Sequence, residues 1–460
     1  MLRFIIAFIV CKATYTGLRL LGRRASHTPG RIALHICPDY IRYLKKPKHI
    51  LCVTGTNGKS TVCNLLEDAL RTNGYTVLDN KFGSNTENGI AVTMTRGVTI
   101  FNRCKYDDCV LEVDERSSTR IFRNIHPDYL IVVDLFRDSC KRNAHPDFIS
   151  DIITNAVPDD TVLILNADDV IGSRVRIEGN NRRIHFNVLP LEGESAGEPN
   201  IINDAGYCPV CGGVPEFTFR RYHHIGHFRC PSCGLQNPKS DHVVTGIDAQ
   251  KNELYAEHNG NAFTYPLIQA STFNVYNEIA AISLLLELGL TPEQIAKSLK
   301  NIKVTDSRYY EKQIGNVKFI SHVVKGLNPV AFSVVSNYVK QIEGDKSVFM
   351  FLDDNVEIKV GCENLTWYYE ADLERLADDS VKHIYISGFR AEDMKYRLLL
   401  AGVPEDRMTT FHEPFDITKI ADFSKAPTFI MLFELYLYDE QMKLRKQLEE
   451  KIEAFGRDRK

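Results

Sequence analysis

The sequence predicts an α/β protein with two successive α/β domains, the first of which contains a small cysteine-bearing ribbon. Two series of short β-rich runs alternating with helical patterns predict the domains, because this alternation is typical of parallel sheets covered by helices. The first series occupies residues 46–303 and the second occupies residues 304–460. Two closely spaced cysteine pairs predict the ribbon, which we place at residues 205–238.

Short apolar and β-branched runs locate the individual elements of both domains. Candidate strands of the first domain lie at residues 49–53, 108–113, 129–133 and 161–165, and its helical patterns lie at residues 60–71, 146–156 and 273–300. Candidate strands of the second domain lie at residues 317–321, 347–352, 383–386 and 428–432, before a charged helix at residues 440–454.

The composition is that of an ordinary globular protein. Of the 460 residues, 44% are hydrophobic and 25% are charged, which excludes disordered and fibrous classes. The net charge of -3 gives no support for nucleic-acid binding, so we expect no nucleic-acid partner. A chain of this length buries several cores without cross-links, and its 12 cysteines are therefore expected as thiols in a reducing, cytoplasmic compartment.

Residues 1–45 form a lead-in that contains an amphipathic helix. Its apolar run from residue 4 to residue 11 ends at Lys12, well short of the ~20 residues that a membrane span requires. Arginines follow instead of a small-residue cleavage site, which argues against a signal peptide. Two interpretations stay open: the helix packs on its own protein, or it lies on a membrane surface beside anionic lipid.

The strongest short signal is the loop at residues 53–61, which reads VTGTNGKST. An apolar strand leads into a glycine-rich turn and then a helix, so that backbone amides and the helix N-terminus converge on a phosphate group. The pattern predicts that Lys59 reaches the β- and γ-phosphates of a nucleotide and that the Ser60 hydroxyl binds Mg²⁺. The residues assigned to the phosphate site are Gly55, Thr56, Asn57, Gly58, Lys59, Ser60 and Thr61.

The two cysteine pairs have the spacing of a zinc ribbon. The predicted ligands are Cys208, Cys211, Cys230 and Cys233. Each pair makes a tight knuckle, and two knuckles complete the tetrahedral coordination of Zn²⁺; four thiolates leave no open position, which indicates a structural ion. Gly212 and Gly234 suit the turn beyond each second cysteine. We expect the histidines between the knuckles, His223, His224 and His227, to be exposed loop residues and not ligands.

Together these features resemble the MurT family, the Mur-ligase-like subunits of bacterial lipid II isoglutaminyl synthases. The resemblance extends through nearly the whole chain, and its further motifs are PGRIAL at residues 29–34, LEVDE at 111–115, LFRD at 135–138, NADD at 166–169, FNVYN at 273–277 and SGFRA at 387–391. It implies a Mur ligase-type central domain with a P-loop, a parallel sheet and an inserted zinc ribbon. A smaller Rossmann-like α/β domain would follow at the C-terminal side.

The resemblance also implies an activity, namely ATP-dependent amidation of the D-glutamate α-carboxylate in the lipid II stem peptide through an acyl-phosphate. The implied cofactors are ATP, Mg²⁺ and structural Zn²⁺. Lys59 and Glu112 would act in catalysis, with Glu112 and Ser60 as magnesium ligands. The matches on the nucleotide side are Asn166, Asp169, Asn274 and Asn277, for which helix or loop capping is the alternative interpretation.

No cysteine of this chain lies in a nucleophile-elbow context, so ammonia is expected from another protein. The resemblance implies a class I glutaminase subunit of the GatD type, in a heterodimer with this chain. An acid of the C-terminal domain would complete the partner's Cys-His pair; Glu370 is the first candidate and Asp372 the second, with a helix-start acid as the alternative. A lipid II substrate implies a cytoplasmic protein, or one attached peripherally to the inner face of the plasma membrane.

Several segments depart from the family pattern. Asp134 and Lys141 replace residues typical of the loop expected near magnesium and phosphate, and the strings at residues 307–311 and 325–331 are also altered. Two alternatives to the amidation therefore stay open. The chain is either a related Mur-type amide ligase acting on another carboxylate, or a non-catalytic paralogue that retains nucleotide binding.

Overall fold

The computed structural model describes residues 1–81, 84–137, 145–192, 194, 197, 199–300, 302, 309–324, 326, 328–352, 361, 364–434 and 437–457. The chain divides into two compact units. Unit 1 comprises Met1–Arg137, Ala144–Glu198 and Asp204–Val304, and unit 2 comprises Asp138–Asn143, Pro199–Asn203 and Thr305–Lys460. Both units are mixed α/β structures built on a large, mainly parallel sheet, which confirms the predicted fold class.

Unit 1 contains a sheet of nine strands among the described residues, in the order β11-β10-β9-β6-β5-β4-β1-β3-β2. The strands are β1 (His49–Thr54), β2 (Val77–Asp79), β3 (Asp108–Glu112), β4 (Tyr129–Val132), β5 (Val162–Asn166), β6 (Arg183–Val188), β9 (His242–Asp248), β10 (Glu253–His258) and β11 (Asn261–Pro266). From β2 at one edge of the sheet to β9, all neighbouring strands pair in parallel. Strand β10 pairs antiparallel with both β9 and β11. A separate hairpin consists of β7 (Glu216–Tyr222) and β8 (Ile225–Arg229).

Strand β1 is the point at which the sheet order changes direction. It pairs with β3 on one side and with β4 on the other, so connections leave it toward both edges of the sheet. Ligands of open α/β sheets bind at such a switch point, beside the carboxyl ends of the strands. The apolar run of β1 is buried from Ile50 onward, as expected for a central parallel strand.

Helices cover both faces of the unit 1 sheet. They are α1 (Leu2–Leu20), α2 (Thr28–Ile36), α3 (Tyr40–Tyr43), α4 (Lys59–Thr72), α5 (Glu87–Arg96), α6 (Ser118–Phe122), α7 (Pro146–Ala156), α8 (Thr272–Glu287) and α9 (Pro292–Leu299). Helix α1 packs against α2, α3 and α5, and its buried residues belong to the same core as β1 and β3. No helix in the described part of the chain is long and apolar enough to cross a membrane.

Unit 2 has a six-stranded sheet in the order β12-β13-β17-β14-β15-β16 within the residues that the structure describes. Its strands are β12 (Tyr309–Ile314), β13 (Val317–Val324), β14 (Lys346–Phe351), β15 (Val381–Ser387), β16 (Met408–Phe411) and β17 (Thr428–Glu434). Its helices are α10 (Pro329–Gln341), α11 (Thr366–Glu370), α12 (Ala391–Leu400), α13 (Ile417–Ile420) and α14 (Tyr438–Arg457). Among the described strands of unit 2 only β12 runs antiparallel to its neighbour, and the described residues form two hydrophobic cores against the sheet.

The eight strands predicted from the sequence are present to within about one to three residues at each end. The helical block predicted at residues 273–300 consists of two helices. Gly289, with φ of +88°, ends the first of them, and Thr291 and Gln294 form a capping box at the start of the second. Pro292 then occupies the first turn, where a backbone N–H would have no intrahelical acceptor, so proline loses no hydrogen bond.

Candidate functional site

The glycine-rich loop connects β1 to α4 at the switch point of the unit 1 sheet. Gly55 has φ of +135° and Gly58 has φ of +79°, values that side chains rarely tolerate. A Cβ at Gly55 would lie 2.9 Å from the carbonyl oxygen of Asp134, and a Cβ at Gly58 would collide with the side-chain oxygen of Asn277. The two glycines therefore permit both the turn and the close approach of its neighbours.

Lys59, the first residue of α4, lies in a buried ion pair. Its Nζ donates to Glu115 Oε1 at 2.7 Å and to the carbonyl oxygen of Gly55. Burial lowers the pKa of Lys59, but the carboxylate of Glu115 raises it further, so the net pKa is above its usual value. Lys59 is therefore a charged donor, held inside the loop by a carboxylate that the sequence analysis did not assign to the site.

Ser60 and Glu112 lie side by side, although 52 positions separate them in the sequence. Parallel pairing places Glu112, the last residue of β3, opposite Val53 of β1. The Ser60 hydroxyl donates to Glu112 Oε2 at 2.5 Å, and Asn85 Nδ2 donates to Glu112 Oε1 at 3.0 Å. A hydroxyl beside a carboxylate, with Ser60 exposed to solvent, is a donor set that suits Mg²⁺, which binds oxygen ligands and retains several waters.

Asp134 lies directly behind the loop, two residues beyond β4. Its Oδ1 accepts the backbone N–H of Asn57 at 2.7 Å, and its backbone oxygen accepts the N–H of Thr56 at 2.9 Å. Burial raises the pKa of Asp134 to about 7, although the hydrogen bond from Asn57 opposes the increase. A carboxyl with a pKa near neutrality thus occupies one of the positions at which the sequence differs from the family that it resembles.

Asn166 and Asp169, both predicted to lie on the nucleotide side, are fully buried in the structure. Asn166 Nδ2 donates to the backbone oxygen of Val133 at 3.2 Å. Asp169 Oδ2 accepts the N–H of Leu135 at 2.7 Å, while its Oδ1 accepts the N–H groups of Ile171 and Gly172. These contacts hold the segment after β4 against the segment after β5. They are the kind of contact expected from the alternative interpretation, in which both residues cap loops.

The two asparagines of α8 occupy different positions relative to the loop. Asn277 is buried with its side-chain oxygen against Gly58, so it borders the phosphate loop. Asn274 donates to Ser271 Oγ at 2.8 Å and accepts from Asn277 Nδ2 at 3.4 Å. The structure therefore brings Asn277 to the loop and places Asn274 at the start of the helix, where it contacts the residue before the first turn.

The four predicted zinc ligands form one cluster. All four Sγ atoms lie within 4.8 Å of one another, with Cys208 and Cys233 at 3.6 Å and Cys211 and Cys230 at 3.5 Å. A tetrahedral ion with metal–sulfur bonds of about 2.3 Å sets its ligands ~3.8 Å apart, so the cluster can hold such an ion. The knuckle turns match the prediction, since Gly212 and Gly234 have φ of +72° and +77°.

The prediction that the histidines between the knuckles are exposed is wrong for His223 and His224, whereas His227 is half-buried. His224 is only 1% exposed and lies with its Nε2 3.3 Å from Asp169 Oδ1, and His223 is also buried. The tip of the β7–β8 hairpin folds onto the segment after β5, where Gly226 N–H donates to the backbone oxygen of Asp168 at 2.9 Å. Asn237, just beyond the second knuckle, donates a hydrogen bond from its Nδ2 to the backbone oxygen of Ala167.

Arg221 joins the same hairpin to α8. It donates to Tyr276 Oη and to Glu194, and Tyr276 in turn donates to Asp168 Oδ2 at 2.6 Å.

Tyr222 of the hairpin lies between Phe136 and Phe273, with ring centroids 5.9 and 4.5 Å away. The ribbon hairpin is therefore part of the wall beside the phosphate loop, a relation that local spacing in the sequence does not reveal.

The two candidate acids of unit 2 differ in their surroundings. Glu370 is half-buried at the last position of α11. Asp372 is only 4% exposed, and its carboxylate accepts the N–H of Ile201 at 2.7 Å and a bond from Asn200 Nδ2. The structure therefore leaves Glu370 the more accessible of the two and assigns Asp372 to internal hydrogen bonds.

Some sequence predictions fall on residues outside the described ranges. These are Lys141 and the departures at residues 307–308, 325 and 327.

Comparison with known proteins identifies relatives of the chain. Residues 324–434 match the MurT ligase C-terminal family model. A curated relative is the lipid II isoglutaminyl synthase (glutamine-hydrolyzing) subunit MurT of Staphylococcus aureus (strain COL), with 29% identity over 401 residues, 86% of this chain and 88% of the relative.

Solved Mur ligases share the fold. A pseudomurein peptide ligase type C from Methanothermus fervidus superimposes with a TM-score of 0.67 at 17% identity, covering 89% of this chain and 81% of its own. The MurF ligase of Thermotoga maritima, solved in complex with ADP, gives a TM-score of 0.58 at 14% identity, covering 92% and 84%. At these identities the two structures establish the fold alone.

We expect the Asp134→Asn variant to bind ATP more tightly than the parent chain at pH 8, and equally at pH 6. The ionised carboxylate adds negative charge behind a phosphate loop. We expect the affinity for ATP at pH 8 to differ roughly tenfold, because pH 8 lies one unit above the pKa of about 7. Because the pKa of Asp134 is raised to about 7, its contribution to the free energy of unfolding also falls as pH rises from about 4 to about 7. Calorimetric titration with MgATP at both pH values measures the difference, and equal affinities at pH 8 would contradict it.

We expect Cys208→Ser to remove the bound metal and to lower the melting temperature, because a structural tetrathiolate ion contributes directly to folding. The matched control is Cys104→Ser, a half-buried cysteine outside the cluster, which should retain one ion per chain. Elemental analysis and scanning calorimetry of the purified variants give both quantities. Full retention of metal by Cys208→Ser would show that the cluster is not the site.

Proposed function

We propose that this chain, which has the Mur ligase fold and is similar to MurT subunits, is the ATP-dependent ligase subunit of a lipid II isoglutaminyl synthase. The proposed reaction converts the α-carboxylate of D-glutamate in the lipid II stem peptide into an amide, as a step of peptidoglycan synthesis. The observation that carries the proposal is the convergence of Lys59, Ser60 and Glu112 at the end of β1, in a chain with a MurT-type C-terminal domain.

The chemistry requires activation of the carboxylate, because its oxygen is a poor leaving group. A carboxylate oxygen attacks the γ-phosphorus of ATP, the bond to ADP breaks, and an acyl-phosphate forms. Ammonia then attacks the acyl carbon and loses a proton, and phosphate leaves with the former carboxylate oxygen. Such phosphoryl transfer depends mainly on positioning and on stabilising charge, which is the role we assign to Lys59 and the amides of its loop.

Lys59 is poised for this role because it is charged while buried. In the described arrangement its Nζ pairs with Glu115, and we propose that it turns to the phosphate oxygens when ATP binds. Ser60 and Glu112 are the residues we propose as ligands of Mg²⁺, which when bound would neutralise negative charge on the phosphates. Asn277 would border the nucleotide from the side of α8.

We further propose that the four-cysteine cluster holds Zn²⁺ in a structural role. Zinc prefers four thiolates in a tetrahedron, and the closed cluster offers no position for a substrate or an activated water. Through the hairpin contacts to the segment after β5, the ion would stabilise the wall of the nucleotide site.

The proposed source of ammonia is a separate class I glutaminase subunit of the GatD type, forming a heterodimer with this chain. Glu370 is the acid we assign to the partner's Cys-His pair, because it is half-buried and therefore more accessible than Asp372, which is 4% exposed. Glutamate can orient a histidine as aspartate does. We place the complex in the cytoplasm, at the membrane surface where a lipid-linked substrate lies, and we propose no nucleic-acid partner.

A second candidate function is that of a paralogue that retains nucleotide binding but acts on another carboxylate or on none. The specific observation in its favour is Asp134, whose carboxyl lies against the phosphate loop. A negative charge there would weaken the interaction with the phosphates, which favours a chain that binds nucleotide weakly and does not transfer its phosphoryl group to this substrate. Turnover measured with the lipid substrate decides between the two candidates.

We expect Lys59→Ala to lower ATP-dependent amidation by at least about 100-fold, the usual cost of removing one preorganised donor to a developing charge. The assay supplies lipid II, ATP and ammonium chloride, and mass spectrometry detects the amide. The control is Lys297→Ala, an exposed lysine of α9, which should keep full activity. Unchanged amidation by Lys59→Ala would overturn the assignment of the ligase site.

We expect Glu370→Gln to lower glutamate release by the assembled complex at least about 100-fold, since the neutral amide does not stabilise a protonated histidine. Ammonium-dependent amidation should be unchanged, which separates the partner's reaction from the ligase reaction. Asp372→Asn is the comparison variant, and it should lower the melting temperature because it alters a buried, bonded carboxylate. Normal glutamate release by Glu370→Gln would remove the role proposed for this acid.

A further inference from the structure

Helix α1 has two apolar faces, and only one of them packs on unit 1. Phe4, Ala7, Phe8 and Cys11 are buried against the neighbouring helices. At about 100° per residue, the opposite face is formed by a second set with the same spacing. Its members are Leu2, Ile5, Ile6 and Ile9, with Leu20 further along the same face, and all of them are exposed.

A turn between α5 and β3 adds to this exposed apolar face. Lys12 Nζ of α1 donates to the backbone oxygen of Val98 at 2.6 Å, which fixes the start of the turn beside the helix. The turn then presents Ile100 and Phe101, of which Phe101 is 78% exposed. We call Leu2, Ile5, Ile6, Ile9, Leu20, Ile100 and Phe101 the apolar face of unit 1. Isolated exposed apolar residues are common, but a set shared by a helix and its neighbouring turn marks an interaction surface.

The charged residues of the segment that contains α1 are almost all positive. Residues 1–48 contain ten lysine or arginine residues and one acidic residue, Asp39, although the whole chain has a net charge of -3. The exposed cations are Arg3, Arg19, Arg23, Arg24, Arg31, Arg42, Lys45 and Lys48. On the helical wheel, Arg3 lies on one side of the apolar residues of α1 and Arg19 lies on the other. From these positions the long arginine side chains can pack along apolar surface and keep their charged ends in water.

We propose that the apolar face and the surrounding cations form a docking surface for a bilayer that contains anionic phospholipid. The apolar side chains would enter the boundary between headgroups and acyl chains, and the cations would contact lipid phosphates. Charge complementarity favours this occupant over a second copy of the chain, because two copies would bring their excess positive charges together. The helix lies along the membrane in this arrangement and does not cross it.

The inference specifies where the proposed ligase meets its lipid-linked substrate, but it does not rest on the amidation activity. It follows from exposure and charge in the first 48 residues and in the turn at residues 99–103. Vesicle binding requires neither ATP nor the glutaminase. A failure of the proposed ligase function and a failure of this inference are therefore distinguishable.

Flotation of the full chain with phospholipid vesicles tests the proposal. We expect binding to phosphatidylcholine vesicles that contain roughly 30% phosphatidylglycerol, and at least tenfold weaker binding to phosphatidylcholine alone or at high salt. The triple variant Ile5→Gln, Ile6→Gln and Ile9→Gln should bind the anionic vesicles at least tenfold more weakly. The triple variant Arg19→Gln, Arg23→Gln and Arg24→Gln should lose most of the dependence on anionic lipid.

Matched controls alter equal numbers of exposed residues elsewhere. Tyr396→Gln with Leu399→Gln and Leu400→Gln removes three apolar side chains exposed on α12, and Lys239→Gln, Lys297→Gln and Lys300→Gln removes three exposed cations of unit 1. Both control variants should bind vesicles like the parent chain. Equal loss in the controls, or no binding of the folded parent to anionic vesicles, would overturn the proposal.

A fluorescence measurement keeps the test valid if the isoleucine variant does not fold. The chain has a single tryptophan, Trp367, and it is buried. An added tryptophan in Ile9→Trp should be quenched by brominated acyl chains in anionic vesicles, and a tryptophan in the control Tyr396→Trp should not. Absence of quenching at residue 9, or a dimer that the isoleucine variant converts to a monomer, would contradict membrane docking.

Discussion

The buried ion pair between Lys59 and Glu115 is the interaction on which the candidate nucleotide site depends. The pair fixes the first residue of α4 at the end of β1, and the side chain of Lys59 closes back on the carbonyl of Gly55. Three carboxyl groups surround a loop whose amides are suited to phosphate: Glu112, Glu115 and Asp134. A triphosphate entering such a site needs compensating positive charge, and Lys59 supplies only part of it. A divalent cation at Ser60 and Glu112 would supply the rest, which is why we treat MgATP and not ATP alone as the substrate.

A second set of contacts connects the cysteine ribbon to this site. Asp169 accepts hydrogen bonds from the segments after β4 and β5 and faces His224 of the ribbon hairpin. Burial lowers the pKa of His224, but the carboxylate of Asp169 raises it to a net value above the usual one, which favours a charged pair. Through Asp169 the hairpin is thereby connected to the segment after β4, which contains Asp134 behind the phosphate loop. A metal ion in the ribbon would thus stabilise part of the ligase wall in addition to the ribbon itself.

Local motifs allowed much of the fold and part of the site to be predicted from the sequence. The phosphate loop and the cysteine knuckles are recognisable because their chemistry requires fixed residue types at fixed spacing, and glycines with positive φ occur where the motifs place them. Glu112 was identified through the family resemblance, at the end of an apolar run that predicts a strand. Contacts between distant segments were not predictable in this way. Glu115 follows Glu112 by three positions, and no sequence pattern indicates that it pairs with Lys59. The histidines were predicted as exposed because their hairpin was considered without the sheet segment on which it folds.

The central claim is that this chain transfers the γ-phosphoryl group of ATP to a carboxylate before the amide forms. The most direct test uses lipid II whose D-glutamate α-carboxylate is labelled with ¹⁸O, incubated with the complex, MgATP and glutamine. If the carboxylate is activated as an acyl-phosphate, each released phosphate acquires one labelled oxygen as the amide forms, which mass spectrometry of the phosphate detects. Release of unlabelled phosphate together with amide product would contradict the claim, as would amide formation without ATP.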